Sequence, residues 1–306
     1  MTQRSTTRRD FLAAGAAIGM AGLFSQGAWA QRRMPQRPVP STGEMLPVIG
    51  LGSSKVVEQI AANGPDPLAA VLRSLVEHGG KVVDTWPRNA DNDGAFGRVI
   101  NEPDLRDKLF IASKIDRTGK ESGIAQYRQM QLLYGRQPLD LLQVFSLTDV
   151  DTHWPSLKEW KAAGEVRYIG VTVADARLYD QLETFLRREQ PDFVQMNYSL
   201  TERESEQRML PFAADRGVAV IINRPFMNGA YFDRLAGREL PSWAAEFECT
   251  TWAQFSLKYI LANPLLTCVL TETASPVHMA ENALTALGPL PDAAARARMR
   301  AFVDSV

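Results

Sequence analysis

Two cysteines and three histidines are all that this chain of 306 residues holds of either type. Cys249 and Cys268 cannot make a disulfide framework, which excludes the small stapled folds of secreted proteins, and both are expected to be free and buried. His78, His153 and His278 are scattered, with no second ligand at metal spacing, so no zinc site is read. An excess of one charge is also missing. Against 34 Lys and Arg stand 35 Asp and Glu, with no basic stripe, which argues against a nucleic-acid partner. The uncharged, Ala- and Gly-rich stretch 11–24 is shorter than the roughly 20 residues of a spanning helix and only weakly hydrophobic. No Gly-x-Gly-x-x-Gly follows a strand-like run, which weighs against a Rossmann site.

What is present begins with a leader. Thr7-Arg8-Arg9-Asp10-Phe11-Leu12 places paired arginines before the uncharged, Ala- and Gly-rich stretch 11–24, and Ala28-Trp29-Ala30 is a small-x-small cleavage site. Residues 1–30 resemble a twin-arginine signal peptide, which implies passage through the twin-arginine export machinery and a periplasmic protein. An uncleaved anchor is the alternative. Losing Arg4, Arg8, Arg9 and Asp10 moves the net charge from −1 to −3. Residues 31–43, rich in Pro and Arg and without periodicity, read as a tether, leaving 44–306 as one large domain expected to act as a monomer.

From Met45 onward, short apolar, β-branched runs alternate with longer amphipathic ones. Strands are predicted at 46–52, 81–85, 108–114, 139–145, 166–172, 192–197, 218–223 and 266–270. Helices are predicted at 67–78, 94–101, 122–134, 155–163, 176–187, 203–215, 251–262 and 276–286, the sixth opening on Thr201-Glu202-Arg203-Glu204 as a capping box. Eight such strands, apolar on both faces, imply an α/β fold of the closed (β/α)8 TIM barrel type; a doubly wound open sheet is the alternative. Asp84 and Lys114 each close a strand, on the rim where such barrels carry their chemistry. A helix-capping aspartate and a solvated lysine are the plainer alternative.

In this order the runs resemble the aldo/keto reductase family. The tags are Leu46-Pro47-Val48-Ile49-Gly50-Leu51-Gly52, Val83-Asp84-Thr85, Ala112-Ser113-Lys114, Leu139-Asp140-Leu141-Leu142-Gln143-Val144, Tyr168-Ile169-Gly170-Val171-Thr172, Phe193-Val194-Gln195-Met196-Asn197-Tyr198, Asn223-Arg224-Pro225-Phe226 and Ala280-Glu281-Asn282. The resemblance implies hydride transfer from NADPH or NADH to a carbonyl substrate. A tyrosine protonates the developing alkoxide, its pKa lowered by a lysine paired to an aspartate, and a histidine orients the carbonyl. The aspartate maps to Asp84 and the lysine to Lys114. The tyrosine position falls on Asn89 and the histidine position on Phe145. An amide is no acid near neutral pH, and a phenyl ring neither donates a hydrogen bond nor carries a proton.

For the cofactor, the resemblance places Thr172 and Gln195 at the nicotinamide carboxamide, Asn223 beneath the ring and Asn282 near the adenine. Glu272 stands where a cation or neutral residue would meet a 2′-phosphate, which disfavours NADPH, and Arg224 is a candidate compensating cation. Trp86, Trp154 and Trp252 are candidate pocket residues, with Phe145, Trp86 and Trp154 expected together at an apolar mouth. Three functions follow. One is a reductase using another proton donor, such as water or Tyr198. The second is a catalytically silent barrel binding a nucleotide or another small-molecule ligand. The third is a lyase or isomerase in which Lys114 acts as base or Schiff-base amine.

Overall fold

Eight apolar runs become parallel strands because both faces of each are covered, by one another inside a cylinder and by helices outside it. The computed structural model describes residues 33–305, so the signal peptide read at 1–30 lies outside the described residues. The chain runs β1 (Gln36–Pro38), β2 (Met45–Pro47), β3 (Ile49–Gly52), α1 (Ser54–Glu58), α2 (Ile60–Asn63), α3 (Asp66–Glu77), β4 (Val82–Asp84) and α4 (Ala90–Ile100). It continues through β5 (Phe110–Ile115), α5 (Lys120–Tyr134), β6 (Leu139–Val144), α6 (Val150–Ala162), β7 (Val166–Thr172), α7 (Tyr179–Arg188) and β8 (Phe193–Asn197). The last part is α8 (Glu204–Gln207), α9 (Met209–Asp215), β9 (Ala219–Asn223), α10 (Ala230–Arg234), α11 (Trp252–Leu261), β10 (Cys268–Glu272), α12 (Pro276–Leu284) and α13 (Ala293–Asp304). Strands β3 to β10 pair in sequence order, and β10 closes back onto β3, giving the expected (β/α)8 barrel.

The structure departs from the sequence reading at 31–43. Within the predicted tether, β1 pairs antiparallel with β2, Arg37 opposite Leu46. The predicted strand 46–52 is therefore two strands, parted at Val48, whose N–H donates to Pro35 O at 3.0 Å. Arg37 fixes the hairpin across the barrel floor by donating to the carbonyls of Leu261, Asn263 and Leu266 at 2.6 to 2.7 Å. A short polar run with three prolines shows no periodicity, and only distant carbonyls give it a place.

The predicted helix 203–215 also divides, at Arg208. Pro211 has no N–H to donate and its ring crowds the carbonyl four residues back, so a proline is tolerated only in the first turn of the second helix. The expected capping box does not form. Ser199 Oγ instead accepts the N–H groups of Thr201 and Glu202.

Inside the barrel, period-two alternation sends Val82, Phe110, Ala112, Leu141, Tyr168, Phe193, Ile221 and Leu270 inward, with Val39 and Leu46 of the hairpin beneath them. Cys268 is free and buried in this layer, and Cys249 is free and buried elsewhere. One pleat further toward the carboxyl ends of the strands the inward positions turn polar.

Candidate functional site at the barrel mouth

Lys114 is the fifth residue of β5, two beyond the inward Ala112, so it points inward one layer above the apolar floor. Asp84, opposite Ala112 on β4, lies within its reach. Lys114 Nζ donates to Asp84 Oδ2 and, at 2.9 Å, to Thr85 O. Both partners are buried, Asp84 at 6% exposure and Lys114 at 4%. Asp84 is thus no helix cap and Lys114 no solvated end-of-strand lysine.

The second carboxylate oxygen of Asp84 is also taken. Gln195 Nε2 donates to Oδ1 at 2.9 Å and Gln143 Nε2 at 3.2 Å. Gln195 Oε1 accepts from Asn223 Nδ2 at 3.1 Å, which also donates to Val173 O. Five strands therefore contribute to one buried polar network, β5, β4, β6, β8 and β9. Sequence reading did not assign Gln143 to the site. The signal was there, because Gln143 shares the inward face with Leu141, and a glutamine facing a closed interior needs partners.

The two positions to which the resemblance assigns the tyrosine and the histidine have structural work of their own. Asn89 is exposed and is the N-cap of α4, its side chain accepting the Asn92 N–H at 2.9 Å; this is why the helix starts at Ala90 rather than near 94. Phe145 follows Gln143 by two residues and lies against Trp86, ring centroids 4.2 Å apart. Trp86 Nε1 donates to Asp116 Oδ2 at 2.7 Å, and the Arg88 guanidinium sits 5.3 Å from the Trp86 ring centroid. Of the three tryptophans expected near a pocket, only Trp86 belongs here. Trp154 is buried against Phe185 and donates to Glu189; Trp252 packs on Phe255 and Phe302.

Tyr198, the alternative acid, faces away from the mouth. It packs in the outer core, donates to Glu206 Oε2 at 2.8 Å and accepts from Arg296, and burial pushes its phenol well above the ordinary range. Tyr134 lies nearer, 3.5 Å from Ser113 Oγ, but Ser113 points outward where Lys114 points inward. Burial, and then the charge of Asp93, raise the Tyr134 phenol as well. Asp93, buried in the first turn of α4, takes both its hydrogen bonds from the Arg88 N–H, at 3.1 Å. Burial raises its carboxyl to about 6 against the opposing pull of those bonds and of the Arg88 charge.

Positions assigned to a cofactor divide in two. Thr172 lies opposite Gln195 on β7, buried, its Oγ1 accepting the Ser146 N–H at 3.2 Å, so Thr172, Gln195 and Asn223 are brought together. The others are separate. Glu272, ending β10, accepts the Lys55 N–H at 3.2 Å in the first turn of α1. Arg224, in left-handed backbone at φ 53°, donates to Ala174 O at 2.5 Å and lies 3.9 Å from Glu202, so it does not compensate Glu272 as expected. Asn282 is buried on α12. A groove of about 480 Å³ between α6 and α7, bordered by Asp149, Asp151, Thr184, Phe185 and Arg188, lies apart from these residues.

Residues 48–297 match the model of the aldo/keto reductase family. Aldo-keto reductase YhdN of Bacillus subtilis is 24% identical over 62% of this chain, and the match spans 61% of that protein's length. The NADH-specific methylglyoxal reductase of Escherichia coli is 24% identical, over 81% of this chain and 92% of its own. Among solved structures, an aldo-keto reductase from Klebsiella pneumoniae in complex with NADPH superposes with a TM-score of 0.73 at 20% identity, covering 88% of this chain and 96% of that one.

Proposed function

This chain belongs to the aldo/keto reductase family of oxidoreductases, and from that premise we propose that it is a nicotinamide-nucleotide-binding barrel that has given up the family's proton relay. The observation that carries the reading is the enclosure of Asp84 and Lys114. Among the described residues Lys114 Nζ meets only Asp84 and Thr85 O, while the tyrosine position caps a helix and the histidine position is a phenyl ring on Trp86. The pair that would lower a tyrosine's pKa has no tyrosine to act on.

Nucleotide binding has independent support. Among the described residues Gln143 Oε1 and Asn223 Oδ1 are buried without a hydrogen-bond partner, and a carboxamide N–H is a group that would satisfy them. Thr172 and Gln195 stand beside them in register. A bound nicotinamide nucleotide would supply a hydride; the residues at this mouth would hold its amide end and offer no acid for the product. The Glu272 carboxylate opposes a 2′-phosphate by about 1 kcal/mol even in water, which favours NADH. The Escherichia coli relative named NADH-specific is consistent with that preference. A lyase using Lys114 is less supported, since its amine is held on two sides. The proposal includes export as a periplasmic monomer, supported by Arg8-Arg9-x-Phe11-Leu12 and Ala28-Trp29-Ala30.

Titration of the purified protein with NADH and NADPH, followed by assay on simple aldehydes, tests the reading. The expected result is binding, tighter for NADH, without aldehyde turnover, and turnover in the Asn89→Tyr, Phe145→His double variant. Aldehyde reduction by the wild type at rates ordinary for a reductase would overturn it, as would failure to bind either nucleotide.

A further inference from the structure

Arg88 is a cation without an acceptor. Among the described residues its guanidinium makes no hydrogen bond and no ion pair, its Nε is buried without a hydrogen-bond partner, and it lies 5.3 Å from the Trp86 ring centroid, with the Asp93 charge near enough to be felt. The carboxylates around it are committed. Asp93 accepts the Arg88 backbone N–H with both oxygens, and its side chain is not within ion-pair distance of the guanidinium. Asp116 accepts from Trp86 Nε1 on one oxygen and Gln126 Nε2 on the other. A partly buried guanidinium normally finds a carboxylate, a phosphate or a carbonyl, because its five donors lose water on burial.

Trp86 and Phe145 supply the other half of a site. Their ring centroids lie 4.2 Å apart, tilted by 32°, at positions two residues beyond Asp84 of β4 and Gln143 of β6, the strands on either side of β5. A planar group laid against such surfaces gains apolar burial and ring-edge electrostatics. The geometry points to a binding site for a planar carboxylic acid, with the carboxylate held bidentately by Arg88 and the conjugated or aromatic body against Trp86 and Phe145. Flatness is selected by the rings and charge by the guanidinium, whose fork matches two carboxylate oxygens. The inference deepens the proposed function, since it names the class of small molecule that the same mouth accepts beside the nucleotide. It needs no chemical step.

Calorimetric titration of the full protein without nucleotide, using cinnamate and cinnamamide as probes, separates charge from shape. Cinnamate binds and cinnamamide binds at least about tenfold more weakly, the size of one charge-assisted hydrogen bond. Arg88→Met, which keeps an aliphatic stem on Trp86, weakens cinnamate about tenfold and leaves cinnamamide and NADH binding unchanged; Arg88→Lys recovers part of the loss. Trp86→Leu weakens both probes. Equal affinity for the two probes, no cinnamate binding, or indifference of cinnamate to Arg88→Met would each overturn the site. NADH binding in the same samples reports on the nucleotide reading separately, so the failure of one is not mistaken for failure of the other.

Discussion

Gln195 reaches across the barrel mouth from β8 and donates to Asp84 at the end of β4, 2.9 Å away. The bond occupies the carboxylate oxygen left free by Lys114, and Gln143 shares it. Asp84 is thereby fully satisfied inside the protein. Satisfied in this way, the pair holds the mouth together whether or not it takes part in a reaction.

Removing one partner should therefore be costly. Lys114→Met leaves a buried carboxylate with only amide donors, and a loss of about 3–5 kcal/mol is expected in urea denaturation. Combining it with Asp84→Leu restores much of that loss, because no buried charge remains. A Lys114→Met protein as stable as the wild type would show that water already reaches the pair.

Asn89 should matter to α4 through its cap. Asn89→Ala costs about 1 kcal/mol and Asn89→Asp far less, since a carboxylate also accepts the Asn92 N–H and favours a helix N-terminus. Thermal unfolding of the two variants measures this directly. Asn89→Tyr incurs the same loss, so the Asn89→Tyr, Phe145→His double variant is expected to melt lower than the wild type.

Trp86 and Phe145 should couple. A double-mutant cycle through Trp86→Ala and Phe145→Ala is expected to give about 1 kcal/mol of interaction beyond the single losses. A coupling of zero would mean that the rings part in solution.

Asp93 predicts a pH dependence with a definite sign. Its folded carboxyl lies at about 6, above its ordinary value, so the fold favours the protonated form. That preference is fully present below the unfolded value near 4 and is lost as pH rises through 6. Asp93→Asn, which still accepts from the Arg88 N–H, should gain on the wild type by roughly 1 kcal/mol between pH 5 and pH 7.5, read from urea midpoints. A difference that stays flat across this range would contradict the assignment.

The hairpin at the barrel floor should be structural. A chain starting at Glu44 is expected to be less stable than one starting at Met34, and Arg37→Ala to account for roughly 2–3 kcal/mol of it, the worth of several hydrogen bonds from a charged donor.

Much of this was legible from local pattern. Strand runs with both faces apolar announce a closed parallel sheet, and the order of short tags around Asp84 and Lys114 announces the family. The positions of Asn89 and Phe145 are a matter of counting from Asp84 and along β6. Three things were not legible. Residues 36–38 lack periodicity, so their strand was invisible until the carbonyls of 261, 263 and 266 were placed beneath Arg37. Tyr198 and Trp154 carry the right chemistry for a mouth, but the alternation of β8 and the face of α6 turn them to the outer core. Arg224 was expected to offset Glu272, yet a left-handed backbone at 224 aims it at Ala174 O.

The sequence by itself determined the barrel and its ancestry, because periodicity and the order of short tags are local properties. Only the tertiary structure decided that Asp84 is closed off by Gln143 and Gln195, that Asn89 is committed to a helix cap, and that Arg88 lies on Trp86 with no hydrogen-bond acceptor among the described residues. Those facts depend on side chains from strands and loops far apart in the chain meeting within about 3 to 5 Å, a distance that residue spacing does not encode.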